Sequence, residues 1–234
     1  MKVLAIIPAR SGSKSVKDKN IAEVGGSPLL ALAVRPAVAL KKKGLIDRVI
    51  ISTDSQKYAD IAIANGAEAP FLRPEEISGD NSKSIDLILH AIDYYKKLDQ
   101  IFDAVLLLQP TSPFRTEADL EKAIKILAEK EGESLISCYL EEYINPLVMY
   151  RKQPDNFLQP LNKLHNKGVR RQEHGGIYVR NGAIYLTRTQ YLEKTKQIIS
   201  DKPLLLEMKK IYSVNVDGPE DLELARRVYE NWNR

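Results

Sequence analysis

Short apolar runs alternate along the chain with amphipathic stretches, a pattern that predicts a mostly parallel sheet covered by helices. Val3 to Ile7 is apolar at every position and stops at Pro8. Val49 to Thr53 reads as a second strand and Ala104 to Leu108, followed by Pro110, as a third. Continuous rather than alternating apolarity predicts strands buried on both faces. Ser134 to Tyr139, Ala183 to Thr187 and Ile211 to Val216 are further strand candidates. The helices between them show the 3.6-residue period. Over Ser84 to Leu98, residues Ile85, Ile88, Leu89, Ile92 and Tyr95 share one face, and over Glu117 to Lys130 the face is Leu120, Ala123, Ile124, Leu127 and Ala128. The last helix follows Pro219 and carries Ala225, Val228, Tyr229 and Trp232 at the same spacing, and a helix beginning near Gln56 closes at Asn65-Gly66. These stripes are read as core.

One segment breaks the rhythm. From Glu141 to Arg180 there are three prolines, scattered charge and no sustained periodicity. A stretch of this length is too long for an ordinary connection, so it is either a mobile lid or an arm packed on a partner subunit. The chain thus divides into an α/β domain, 1–140 with 181–234, and an inserted extension, 141–180.

Composition narrows the field. With 234 residues, 44% of them hydrophobic and 28% charged, the chain is long enough for one sizeable core, which excludes disorder, collagen and a disulfide-stapled miniprotein. A net charge of +4 is too small a surplus to imply nucleic acid unless it is clustered along a groove. The single cysteine, Cys138, suits a reducing compartment and reads as a buried small hydrophobe. The apolar run at the N-terminus is too short for a signal peptide, and no stretch approaches the roughly 20 apolar residues that cross a bilayer. The expectation is a soluble cytoplasmic protein that binds neither membrane nor nucleic acid.

Charge is concentrated in one place. Directly after the first strand, Arg10, Lys14, Lys17 and Lys19 fall within ten residues, against one acid, Asp18. Ligands of open parallel sheets sit beyond the carboxyl ends of the strands, where this loop must lie. Small residues (Ser11, Gly12, Ser13, Ser15) let backbone N–H groups approach an anion, and a triphosphate is the economical ligand. The alternative is a solvated basic loop. Neither the phosphate-loop spacing G-x-x-x-x-G-K-[ST] nor G-x-G-x-x-G occurs here.

Ile7-Pro8-Ala9-Arg10-Ser11-Gly12-Ser13-Lys14, followed by Lys19-Asn20, resembles the signature loop of the acylneuraminate cytidylyltransferases, the CMP-sialic acid synthetases. Ser52-Thr53-Asp54, Leu72-Arg73-Pro74, Leu108-Gln109-Pro110-Thr111-Ser112-Pro113, Asn181-Gly182-Ala183-Ile184-Tyr185 and Val214-Asn215-Val216-Asp217 follow in the family's order, and the first loop is most similar to the bacterial legionaminate branch. The resemblance implies a three-layer Rossmann-like nucleotidyltransferase fold with a mostly parallel sheet and a dimerisation arm. It implies CTP as one substrate and a nine-carbon 2-keto sugar acid as the other, joined as a CMP glycoside with release of pyrophosphate, and Mg²⁺ as cofactor.

The resemblance also implies roles. Arg10 and Lys14, assisted by Ser13, would hold the phosphates, Lys19 would stabilise charge at the α-phosphate, and Asn20 would lie near the ribose or base. Arg73 and Ser84 would read cytosine, although Ser84 is equally placed to cap the helix that starts there. Gln109, Thr111, Ser112, Asn181 and Tyr185 would contact the sugar; Tyr185 is equally readable as packing. Arg171, with Arg180, would act from the arm on the partner subunit of a homodimer with exchanged arms. Asp217 and Asn215 occupy the positions where the family has two metal-binding aspartates, so Asp217 becomes the main Mg²⁺ ligand and the candidate base. Ser15 stands where the family often has glycine, which leaves a left-handed backbone there in question. The histidines, His90, His165 and His174, lack metal-ligand spacing. Two alternatives accompany this reading: a GTP-dependent guanylyltransferase for a legionaminic-type acid, and a non-catalytic nucleotide or sugar-nucleotide sensor, motivated by Asn215.

Overall fold

The computed structural model describes residues 1–13, 15–142, 146–167 and 176–232. β1 (Val3–Pro8) leads through the basic loop and a minimal hairpin, β2 (Glu23–Val24) and β3 (Ser27–Pro28), into α1 (Leu29–Lys42). β4 (Arg48–Ser52), α2 (Gln56–Ala64), α3 (Ser84–Lys96), β5 (Ala104–Leu107), α4 (Glu117–Glu129) and β6 (Ser134–Glu141) follow. The hairpin β7 (Tyr150–Lys152) and β8 (Leu158–Pro160) comes next, then β9 (Ile177–Arg188), α5 (Thr189–Thr195), β10 (Leu204–Glu207) and α6 (Pro219–Glu230).

The main sheet has six strands in the order β10-β6-β9-β5-β1-β4. β9 is antiparallel to both neighbours, β5 and β6, while the other pairs run parallel. Every residue from Val3 to Ile7 is fully buried, as the continuous apolar run predicts. Ala5, Ile7, Val49 and Ile51 face α1 and α4, whereas Leu4, Ile6 and Ile50 face α3. A third cluster beneath α6 joins Val24, Leu29, Phe114, Val216 and Ala225. These are the three layers expected.

Three differences from the sequence reading have physical causes. α1 is not among the predicted helices, because its first two turns are buried on nearly every side and Pro36 interrupts it, so no clean stripe marks it. Ile211 to Val216 is not a strand. The edge beside β6 is taken by β10, and the later segment forms a 3₁₀ turn at Lys210–Tyr212 before crossing the carboxyl end of the sheet. The predicted strand 183–187 is the second half of a longer one, since β9 pairs with β6 as far as Ile177 opposite Glu141. The hairpin β7–β8 lies between those two strands, inside the 141–180 segment, whose division from the rest stays a reading of the sequence.

Because Ile6 is fully enclosed on a strand paired on both sides, by β4 and β5, Ile6→Ala is expected to cost about 2–5 kcal/mol, read as a lowered urea midpoint with an unchanged m-value.

Candidate functional site

β1 is flanked by β4 on one side and β5 on the other, so the chain order reverses at the carboxyl ends of β1 and β5, where open α/β sheets bind ligands. A cleft of about 780 Å³, counted to its open mouth, occupies this place. Pro8, Arg10, Ser13, Lys19 and Asn20 line it from the loop after β1, and Gln109, Pro110 and Thr111 from the turn after β5. Arg73, Gly79, Ser82 and Ser84 close it from the segment leading into α3. The structure thus gathers Arg10, Ser13, Lys19, Asn20, Arg73, Ser84, Gln109 and Thr111 around one space.

The basic loop is fixed by acceptors outside it. Ser11 donates its N–H and hydroxyl to Asp54, at 2.7 and 2.6 Å. Burial pushes the Asp54 carboxyl up, but the two Ser11 bonds, a backbone N–H and nearby Arg73 outweigh it and hold the pKa below its ordinary value. Asn20, which is buried, donates its side-chain amide to the Arg10 carbonyl at 3.0 Å. It braces the loop from within. Left-handed backbone occurs at Gly12 and at Asp18. Arg10 pairs with Asp80 at 2.8 Å. Lys14 lies outside the described residues.

Arg73 is only 6% exposed. Its Nε donates to the Ser78 hydroxyl at 3.2 Å, while Nη2 is buried without a partner. Burial lowers its pKa and Arg10 adds to the effect, with Asp54 opposing both. An orphaned guanidinium nitrogen in a cleft wall is a site for an acceptor. Ser84 is the first residue of α3; the cap position belongs to Lys83, whose N–H donates to Asp86 at 3.1 Å. Capping is therefore not what Ser84 does.

Behind the turn after β5, the buried Ser112 does not line the cleft, and its hydroxyl lies 3.1 Å from the Asn181 carbonyl and 3.2 Å from Asn215 Oδ1. Beneath the turn, the buried Arg115 donates through Nη2 to the carbonyls of Gln109 and Ser112. Gly182 has φ +76°, and a Cβ there would stand 3.1 Å from Ser112 Oγ and 3.2 Å from Gln109 Oε1. Its bareness keeps that corner open. Asn181 is a correction to the sequence reading. It is 5% exposed, its Oδ1 accepts from Ser137 and Ala183, and its Nδ2 donates to Ser213. Between Ile136 and Cys138 the β6–β9 register shifts, and the Asn181 amide fills that irregularity instead of facing the cleft. Tyr185 packs against the α3-side core with the Arg180 guanidinium 5.7 Å from its ring, on the same chain. Arg171 lies outside the described residues.

Thr111 accepts the Val216 N–H at 2.7 Å, which ties the 215–217 segment to the turn after β5. Asp217 then meets Lys19 at 3.7 Å. Its backbone N–H and that of Gly218 both donate to Asp221. Asn215 turns its N–H, not its oxygen, toward Asp217 at 2.6 Å. The two side chains meet, and Asn215 serves Asp217 as a donor and offers its oxygen to Ser112. No group of three His, Cys, Asp or Glu suited to a metal occurs among the described residues. One exposed carboxylate beside a cationic cleft fits a Mg²⁺ ion held chiefly by substrate phosphates and water.

A family model described as Cytidylyltransferase matches residues 4–232. The CMP-N,N'-diacetyllegionaminic acid synthase of Legionella pneumophila is 32% identical over 98% of this chain and 97% of its own length. The chain belongs to the acylneuraminate cytidylyltransferase family. It is similar to the N-acylneuraminate cytidylyltransferase of Escherichia coli (32%, over all of this chain and 53% of that protein) and to the pseudaminic acid cytidylyltransferase of Campylobacter jejuni (28%, over 98% and 97%). The fold matches a CMP:2-keto-3-deoxy-manno-octonic acid synthetase complexed with CTP, with TM-score 0.70 at 18% identity over 99% of both chains. It also matches a 4-diphosphocytidyl-2C-methyl-D-erythritol synthase of Anaerococcus prevotii, at TM-score 0.64. The chain is thus a nucleotidyltransferase of the cytidylyltransferase type. These relatives favour neither the guanylyl alternative nor the sensor. Among the described residues no helix is long and apolar enough to cross a membrane.

Sequence reasoning missed Asp80 and Arg115, and used Asp54 only as part of a motif. Ser52-Thr53-Asp54 at a strand's carboxyl end was a signal for an anchoring acid, whereas nothing local marks Arg115 for burial. Since the Asp54 carboxyl is depressed in the folded state, its contribution is full above the unfolded value near 3.8 and is lost as pH falls below that through the folded value. Asp54→Asn is expected to flatten this acid limb of the urea-midpoint-against-pH curve, and Ser11→Ala to move it upward in pH.

Proposed function

We propose that this chain transfers CMP from CTP to the C2 hydroxyl of a nine-carbon 2-keto sugar acid and releases pyrophosphate. The observation that carries the reading is the buried Arg73, with its partnerless Nη2, in the wall of a cleft that also presents Arg10 and Lys19. Cytosine offers adjacent O2 and N3 acceptors, which suit that nitrogen, and leaving it unsatisfied costs on the order of 1–3 kcal/mol. The nucleobase then stands over Arg73, Ser82 and Ser84, and the phosphates run toward Arg10, Ser13, Lys14 and Lys19.

The sugar occupies the other end, against Gln109, Thr111 and Ser112, in the corner Gly182 keeps open. Its C2 oxygen forms the new bond to the α-phosphorus as the bond to the β-phosphate oxygen breaks and pyrophosphate leaves. Catalysis of such a step is mostly positioning and charge stabilisation. Lys19, at the boundary between the two ends, neutralises charge at the α-phosphate, and Asp217 beside it takes the hydroxyl proton. Mg²⁺, when bound at Asp217, adds positive charge against the phosphates. Asn215 supplies no charge and steers the Asp217 carboxylate through its N–H.

The arm supports a dimer. Val148, Phe157, Leu158 and Leu161 are 63%, 74%, 62% and 53% exposed on and around the β7–β8 hairpin, an apolar surface that a second copy would cover. Arg171 belongs to this proposal as the cation for the sugar carboxylate, reaching the partner's site. The protein acts in the cytoplasm, where CTP is made.

Pyrophosphate release is expected with CTP and one or more of the sialic, legionaminic, pseudaminic and deaminated sialic acids. Activity with GTP alone, or with none of the four acids, would overturn the reading. Lys19→Ala is expected to lower kcat by roughly a hundred-fold or more. Asn215→Asp is expected to lower the Mg²⁺ concentration giving half-maximal rate, by restoring a second carboxylate. Light scattering is expected to give twice the chain mass, and an active monomer would remove Arg171 from the site.

A further inference from the structure

The one acid of the basic loop, Asp18, points away from the cleft. Its backbone is left-handed, with φ 53° and ψ 35°, a conformation that costs a non-glycine residue about 1 kcal/mol or more. Its carboxylate accepts the hydroxyl of Tyr58 at 2.9 Å and lies 3.5 Å from the Lys57 ammonium, both on α2. Tyr58 is buried at 2% exposure, so its hydroxyl is a fixed post set in the core. Asp18 starts the 3₁₀ turn Lys19–Ile21, and its carbonyl accepts the Ile21 N–H at 2.9 Å. The Lys19 side chain leaves this turn at 15% exposure and reaches Asp217. Asn20, in the same turn, holds the Arg10 carbonyl.

The geometry points to Asp18 as a positioning residue for Lys19, clamped by the Tyr58 hydroxyl so that the turn aims the lysine into the cleft while the acid's charge stays outside it. The inference rests on the reading of Lys19 as the lysine of the α-phosphate. Two features separate it from ordinary surface pairing. The donor is a core side chain, not a solvated one, and the acceptor sits at a left-handed position that only a specific contact makes worthwhile. Burial, followed by the bond to Asp18, raises the Tyr58 pKa, and the same bond is the main cause that lowers that of Asp18, so the hydroxyl stays the donor and the carboxylate the acceptor.

The test is a double-mutant cycle in the full chain, with kcat and KM for CTP read by pyrophosphate release and folding read by urea midpoint. Tyr58→Phe deletes only the hydroxyl, and Asp18→Gly removes the carboxylate while permitting the left-handed backbone. Each is expected to lower kcat roughly ten-fold, with a smaller change in KM for CTP. Together they are expected to lower it no further than either alone, because one contact has been removed twice. Independent, multiplying losses would overturn the proposal. So would a lowered urea midpoint with unchanged kcat, which is the mark of a merely structural bond. Lys19→Ala in the same series keeps the premises apart: if it retains turnover, the reading of Lys19 fails and the clamp with it. If it abolishes turnover while Tyr58→Phe and Asp18→Gly do not alter kcat, only the clamp is wrong.

Discussion

The structure depends on holding like charges together at the carboxyl end of β1. Cations crowded into a short loop repel one another, and an unliganded loop of this composition would splay into solvent. Here Arg10 and Lys19 are each answered by an acid from another part of the chain. Asp80 pairs with Arg10, Asp217 meets Lys19, Asp54 anchors Ser11 and approaches Arg73, and Asp18 is drawn off toward Tyr58 and Lys57. The acids differ in burial and in function. Asp54 and Asp18 accept bonds that set the loop's path, whereas Asp80 and Asp217 face partners that a phosphate would also attract. An incoming polyanion therefore meets cations already gathered, at the cost of displacing weak, partly solvated pairs.

That balance explains how the two ends of the cleft are built. In the proposed reading, the nucleotide-side groups come from the loop after β1 and the segment before α3, a region dense in charge. The sugar-side groups of that reading come from the turn after β5, and the bonds around it are mostly neutral: Ser112 with Asn181 and Asn215, Asn181 with Ser137 and Ser213. Lys19 and Asp217 stand where the two meet. Arg115 is the exception around the turn after β5, a buried cation spent on two of its carbonyls.

Much of this was legible in the sequence. Strands buried on both faces announce themselves by unbroken apolarity, and β1, β4 and β5 were readable for that reason. The cationic loop and the Gln109–Ser112 turn were readable because each follows such a strand. What escaped was decided at long range. Asn181 carries the polar amide a sugar contact needs, yet an irregularity between β6 and β9 claims every bond it can make. Ile211 to Val216 has strand composition, but β10 takes the edge first. Asp80 lies in a loop with no period, and its pairing with Arg10 exists only once β1 and α3 are folded together.

β9 runs against the grain of the sheet. Its first residues therefore emerge where every other strand of the sheet finishes, and its pairing with the end of β6 makes it the return path from the β7–β8 hairpin. The same strand passes Gly182 beside Ser112 and Gln109 before it enters the interior. Pull on the start of β9 is carried along its hydrogen-bonded pairing with β6 to Gly182 and the turn after β5, so this ribbon and the support of Gln109 and Ser112 form one mechanical part.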